Sequence, residues 1–182
     1  MSENLQDIRD KYMSPGLRIA LAVTGVGIFF DQITKSWAES RLDAGACSTS
    51  TDSCIDLIFG ARFHLAYNKG AAFSSGESLG YLFGILALIM SVVLLYLAWK
   101  STNKLNSILF GMVAGGALGN FADRAFRGDT SGFLDGGVVD FIDLGWWPIF
   151  NIADCLIVVG AIGLLLNSKE SKPDDVTLAE EI

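Results

Sequence analysis

The sequence predicts an all-α polytopic membrane protein, with four transmembrane helices carrying a small extracytoplasmic β-sheet. Three observations lead there. Hydrophobic residues make up 51% of the 182 and charged residues only 18%, against about 25% charged in an ordinary soluble domain. Two stretches, Leu79 to Trp99 and Leu105 to Ala122, run for 21 and 18 residues without a charge. Apolar runs of that length are read as helices crossing a hydrocarbon core of roughly 30 Å. From Phe59 onward Phe59, Ala61, Phe63, Leu65 and Tyr67 alternate with Gly60, Arg62, His64 and Ala66, the period of a strand. The same composition excludes other classes. A formal charge of −7 argues against nucleic acid as a partner, since phosphate binding needs clustered Lys and Arg. Three cysteines and one histidine cannot furnish a zinc framework.

In chain order, residues 1–16 form a cytoplasmic N-terminal segment and residues 17–166 the membrane domain. The first apolar run, Leu17 to Phe30, stops at Asp31 after 14 residues. It reaches spanning length only by continuing through Ile33, Trp37 and Ala38, which places span one at about 17–38. Asp31 and Lys35 then lie i,i+4 on one face and can pair. Span two covers 79–99 and span three 105–122. Span four covers 146–166, with Trp146-Trp147 as an outer aromatic belt and Pro148 opening the helix. The turn Lys100 to Lys104 holds two lysines and no acid, so it marks the cytoplasmic side and places both termini inside. Residues 43–78 and 123–145 are then extracytoplasmic, with 127–137 a Gly/Asp-rich loop. The acidic tail 167–182 is cytoplasmic and disordered in composition. Ala44-Gly45-Ala46-Cys47 mimics a lipoprotein cleavage box, but five charged residues separate it from the apolar core that a cleavage site must follow directly.

Charges and amides within spans are costly unless paired, and so mark function by default. Here they collect at the outer ends of three helices. Asn120, Asp123 and Arg124 stand at i, i+3 and i+4 near the end of span three. Asn151 and Asp154 stand i,i+3 in span four, and Asp31 and Lys35 close span one. Asp140 and Asp143 lie in the loop before span four. Asp123-Arg124 fits a structural ion pair, the arginine holding its neighbour ionised. Asp140 and Asp154 have no adjacent cation, which leaves them free to share a proton. Two such carboxylates in a partly dry site repel, so one stays protonated while the other ionises. The ionised member can take a proton from water and the protonated one can donate to a peptide carbonyl. That chemistry needs no metal and no cofactor.

Five blocks carry a resemblance. They are Asp31-Gln32-Ile33-Thr34-Lys35, Asn68-Lys69-Gly70-Ala71-Ala72-Phe73, the ten residues Gly115 to Arg124, Gly137-Val138-Val139-Asp140-Phe141, and Phe150-Asn151-Ile152-Ala153-Asp154. In this order, each at the outer membrane face, they resemble bacterial lipoprotein signal peptidase, the signal peptidase II family, from Ile28 to Leu166. The resemblance implies an aspartic endopeptidase of the bacterial inner membrane with its active site at the extracytoplasmic face. Its partners are implied to be membrane lipids, prolipoproteins carrying diacylglyceryl on the cysteine after the cleavage site, and cyclic peptide inhibitors. The implied catalytic dyad is Asp140 and Asp154. Asn120, Asp123, Arg124 and Asn151 match site-supporting positions, and Asp31, Lys35, Asn68 and Gly70 match fold or substrate-contact positions. The step from Arg124 to Asp140, 16 positions, is longer than the family pattern, which makes Asp143 and Asp135 rival partners for Asp154. The alternatives are a non-enzymatic binder of lipoprotein signal peptides and a proton-coupled transporter.

Smaller features have quieter readings. Gly111, Gly115 and Gly119 make two GxxxG steps, suited to close packing within the monomer. His64 is a hydrogen-bonding strand residue, Cys155 a packing residue, and Cys47 with Cys54 a disulfide candidate. Lys35-Ser36 cannot form a Ser–Lys dyad, because neighbours on a helix face different ways.

Overall fold

The computed structural model describes residues 13–44, 54–70, 80–127, 134 and 136–168. Helix α1 spans Pro15–Arg41. Ser14 caps it, accepting the Leu17 N–H at 3.2 Å, and Pro15 takes the first position, where its missing N–H is harmless. Strand β1, Cys54–Asp56, turns through Ile58–Gly60 into β2, Arg62–Asn68. Helix α2 is Gly80–Lys100 and α3 is Lys104–Phe126, the latter capped by Asn103. Strand β3 is Val138–Asp143 and helix α4 is Ile152–Ser168. Three of these helices, α1 to α3, are long and apolar enough to cross a membrane. The described part of α4 is apolar but shorter, at 17 residues.

Helix α3 is the hub, packed against α1, α2 and α4. Small residues make this approach possible. A Cβ on Gly111 would meet Ala20 of α1, one on Gly115 would sit 3.1 Å from the Thr24 carbonyl oxygen, and one on Gly116 would strike Ala153 of α4. The GxxxG steps therefore serve packing within the monomer, as expected. Thr24 Oγ1 adds a 3.1 Å hydrogen bond to the Gly111 carbonyl.

The sheet is antiparallel in the order β1-β2-β3, with a register shift between Phe63 and Ala66 of β2. Leu65, Val139 and Phe141 pack with Ala38 and Leu42 at the end of α1, and Trp37 meets the Phe63 ring edge-on at 5.1 Å between centroids. The sheet thus sits on the C-terminal end of α1 and is held by a small core of its own.

Three expectations need correction. The strand starts at Arg62. Phe59 lies in the turn at φ 58° and Gly60 at φ 79°, so the chain reverses there, and Phe59 is fully exposed. Asp140 and Asp143 lie on a strand and not in a loop, because the Val138-Val139 and Phe141-Ile142 pairs suit a ladder against β2. Pro148 does not open the last helix. Phe150 exchanges hydrogen bonds with Ile142 at 2.9 and 3.1 Å, which keeps this stretch extended until α4 starts at Ile152. Most of the Gly/Asp-rich loop, Asp135, Cys47 and the tail beyond Ser168 lie outside the described residues.

Candidate active site

Two polar centres meet where α1, α3, α4 and the sheet converge. The first is an ion cluster. Lys35 on α1 is wholly buried, and its ammonium contacts Asp31 at 2.8 Å, Asp123 at 2.7 Å and Asn120 Oδ1 at 2.9 Å. Three donors meet three acceptors, so the buried cation is fully satisfied. Asp31 Oδ1 also accepts the Ala153 N–H at 3.0 Å, placing a carboxylate at the start of α4. Asp123 accepts from Gln32 Nε2 at 2.9 Å, from Arg127 Nε at 2.9 Å and from the Val139 N–H at 3.2 Å. That last bond ties the end of α3 to β3, one residue before Asp140.

The expected Asp123–Arg124 pair does not form. Residues i and i+1 on a helix diverge, and Arg124 turns to the other side, donating through Nη2 to the Gly70 carbonyl at 2.9 Å. Its guanidinium lies 6.0 Å from the Phe83 ring, and Nη1 has no hydrogen-bond partner among the described residues. The cations on Asp123 are Lys35 and Arg127. Arg127 also reaches Gln32 Oε1 at 3.0 Å and pairs with Glu39. Neither Gln32 nor Arg127 was singled out from sequence, although Arg127 stands i,i+4 from Asp123 and Gln32 lies inside the first motif block.

The second centre is the carboxylate pair Asp140 and Asp154. Asn151 joins them. Its Nδ2 donates to Asp140 Oδ1 at 2.6 Å, its backbone N–H to Asp154 Oδ2 at 3.2 Å, and its Oδ1 accepts the Asp154 N–H at 3.0 Å. The last two bonds form a reciprocal cap at the start of α4, and this is why a helix begins after Asn151. Asn120 Nδ2 donates to Asp154 Oδ1 at 2.8 Å. Its orientation is fixed by Lys35, which can only donate to Asn120 Oδ1. Asn68, at the end of β2, donates to Asp140 Oδ2 at 3.2 Å and accepts the Gly70 N–H at 3.2 Å.

Asp140 is buried, and no cation forms an ion pair with it or with Asp154 among the described residues. Burial first, and the nearby charge of Asp154 second, push its carboxyl up to about 7. Asp143 behaves differently. Burial would raise it, but hydrogen bonds from Arg62 and the Gly145 N–H outweigh that and hold it below the usual range. Arg62 Nε lies 2.7 Å from Asp143 Oδ2, and His64 Nδ1 lies 3.5 Å from the same oxygen. Asp143 is thus committed to Arg62, while Asp140 faces Asp154.

Both carboxylates line a cavity of about 410 Å³, with Asn68, Asn120 and Arg124 at its polar end and side chains of α2 and α3 such as Phe83, Met90 and Val113 along its walls. All ten residues expected from the motifs gather around this junction: Asp31, Lys35, Asn68, Gly70, Asn120, Asp123, Arg124, Asp140, Asn151 and Asp154. A pair of carboxyls lining one cavity, one of them pushed up to about 7 by burial and by its neighbour, is equipped for acid–base hydrolysis of an uncharged bond. No group of three or more His, Cys, Asp or Glu suited to hold a metal occurs among the described residues.

Residues 23–169 match the family model of signal peptidase (SPase) II. The lipoprotein signal peptidase of Syntrophomonas wolfei is 39% identical over 142 residues, 76% of this chain and 85% of that protein. The lipoprotein signal peptidase of Mycobacterium leprae is 38% identical over 155 residues, 84% of this chain and 72% of that protein. A solved bacterial membrane enzyme superposes with a TM-score of 0.68 at 28% identity, over 86% of this chain and 93% of its own. The chain belongs to the signal peptidase II family of peptidases.

Proposed function

We propose that this family member cleaves signal peptides from diacylglyceryl-modified prolipoproteins, just before the lipidated cysteine, with Asp140 and Asp154 as the catalytic pair. One observation carries the reading: two carboxylates share a cavity, bridged by one asparagine, with no ion-pairing cation on either among the described residues. Asp154 takes a proton from a water whose oxygen adds to the scissile carbonyl carbon. Asp140 gives its proton to the carbonyl oxygen. On collapse of the tetrahedral intermediate, Asp154 passes its proton to the leaving nitrogen and Asp140 recovers its own as the C–N bond breaks. The titrations belong to the pair as a unit. Arg124 lines the cavity and is the cation nearest a substrate carbonyl there, with its guanidinium tied to the Gly70 carbonyl and Asn68 bonded to the Gly70 N–H.

The same reading places the chain in the bacterial inner membrane as a four-span protein. At about 1.5 Å per residue, α4 covers about 25 Å, and the Trp146–Phe150 segment, which returns antiparallel to Ile142, precedes it at the outer interface. Lys100 and Lys104 flank the α2–α3 turn on the cytoplasmic side, with both termini there. The disulfide at Cys54, on the side of the sheet, suits an oxidising exterior. A proton path would need acids through the membrane depth. No Asp or Glu occurs in 15–30, 80–100, 104–119 or 155–168, so acids collect at one end only.

The test is cleavage of a purified prolipoprotein with and without diacylglyceryl on its cysteine. The reading expects processing of the modified form alone, without added metal. Signal-peptide binding without cleavage by folded protein would refute it.

A further inference from the structure

A second groove opens on the other side of Asp154. Its volume is about 370 Å³, and its lining includes Trp146, Trp147, Phe150, Cys155, Val158 and Val159. Asp154 is the one charged residue in it. Asp140, Asn68 and Arg124 belong to the first cavity and do not reach this groove. Along α4, Asp154 and Val158 stand i,i+4, as do Cys155 and Val159, so the groove descends about one turn, roughly 5–6 Å, from the carboxylate along the helix. Val158 and Val159 are more than half exposed, and at this depth that exposure is to lipid. Trp146 and Trp147, packed edge-to-face at 5.8 Å, form its upper lip, where indole rings suit the ester level of an interface.

We propose that this groove is the subsite for the acyl chains of the substrate's diacylglyceryl group, while the first cavity takes the peptide on the signal-sequence side of the scissile bond. The assignment rests on the function proposed above. The residue carrying the lipid directly follows the bond under attack, so its thioether lies within a few ångströms of Asp154. From there the first cavity offers amide and guanidinium groups fit for a peptide backbone. The second offers apolar walls and no cation, fit for an uncharged glyceride and unfit for an anionic phospholipid headgroup. Asp154 lines both, so the two subsites meet at this residue.

The experiment compares two forms of one prolipoprotein in detergent micelles, with dipalmitoylglyceryl or dibutyrylglyceryl on the cysteine. Wild type is expected to prefer the long-chain form in kcat/KM. Val159→Trp, which fills the groove from a lipid-exposed position, is expected to cut the long-to-short ratio by about tenfold, the effect of losing about two buried methylenes. Met90→Trp, in the first cavity, should lower both substrates together. A wild-type ratio near one, or a ratio that falls in Met90→Trp and holds in Val159→Trp, overturns the assignment. Should Val159→Trp fail to fold, a diazirine-bearing acyl chain on Asp140→Asn protein decides: label on 144–159 supports the groove, label on α2 overturns it. Failure of folded wild type to cleave either form overturns the underlying peptidase reading instead, and is distinct from a lost ratio.

Discussion

Asp31 and Asp123 on one side of the site, and Asp140 and Asp154 on the other, are the same residue type a few residues apart in space, yet they are built for opposite tasks. The first two share Lys35 and gain Arg127, so two anions meet two cations and the buried charges are compensated. Among the described residues the second two receive only amide donors: Asn151 and Asn68 on Asp140, Asn120 and Asn151 on Asp154. Amides hold a carboxyl in place without supplying a counter-charge, whereas an ammonium at 2.7 Å supplies one. Asn120 touches both centres, accepting from Lys35 and donating to Asp154, so the compensated cluster orients the uncompensated pair. A charge-compensated frame beside a charge-frustrated pair is a division between structure and chemistry that the residue types alone do not reveal.

The largest effect expected is on turnover. Asp140→Asn and Asp154→Asn should each lower kcat by roughly 10²–10⁴-fold or more, the scale of losing a positioned acid or base, with folding retained because the amide fills the same place. Gel-shift cleavage and a thermal melt on the same preparations check this. Retained activity in either variant would break the comparison at its chemical side.

At the structural side, Lys35→Met should destabilise by about 3–5 kcal/mol, because Asp31 and Asp123 would stay buried with their shared cation gone. Unfolding in detergent reads this directly. A stable Lys35→Met protein would mean that the cluster does not hold the fold.

The pH dependence sharpens the contrast. Asp140, raised above its ordinary 3.8 to about 7, keeps its proton below neutral pH and loses it as pH rises through about 7. The kcat/KM profile should therefore fall on its alkaline limb near that value. Linkage gives the matching stability trend. A raised carboxyl contributes stability that is fully present below its unfolded value and is lost as pH climbs through the folded one. Asp140→Asn should thus gain stability relative to wild type as pH goes from 5 to 8, seen as a widening difference in melting temperature.

The smallest effect belongs to Asp143. Arg62→Ala removes an ion pair whose arginine side chain is 37% exposed, so about 0–1 kcal/mol is at stake, and cleavage should stay near wild type. A large catalytic loss there would promote Asp143 to partner of Asp154.

Much of this was legible in the chain. Uncharged runs located α2 and α3 within a few residues, and glycine spacing foretold close packing of α3 within the monomer, though not which helix it meets. The i,i+4 pairing of Asp31 with Lys35 followed from helix geometry alone. The misses have a common cause, since each depends on a contact between distant segments. Strand β3 is six residues long beside Gly136 and Gly137, and only its pairing with β2 makes it a strand. Pro148 looked like a helix start until Phe150 was seen bonded to Ile142. Asp123 was matched to its sequence neighbour Arg124, but a helix turns adjacent residues apart and gives it Lys35 from another helix. Asp140 was preferred over Asp143 from its motif, and the reason the two differ, Arg62 across the sheet, is tertiary.

The claim that one carboxyl of the pair stays protonated to just below neutral pH is tested most directly by infrared spectroscopy of protein labelled with ¹³C at its aspartate carboxyls. A neutral-acid carbonyl band that persists at pH 6, titrates away near pH 7 and vanishes in Asp140→Asn is the result this account predicts. A protein whose aspartates are all ionised at pH 6, or whose neutral-acid band survives Asp140→Asn, would contradict it.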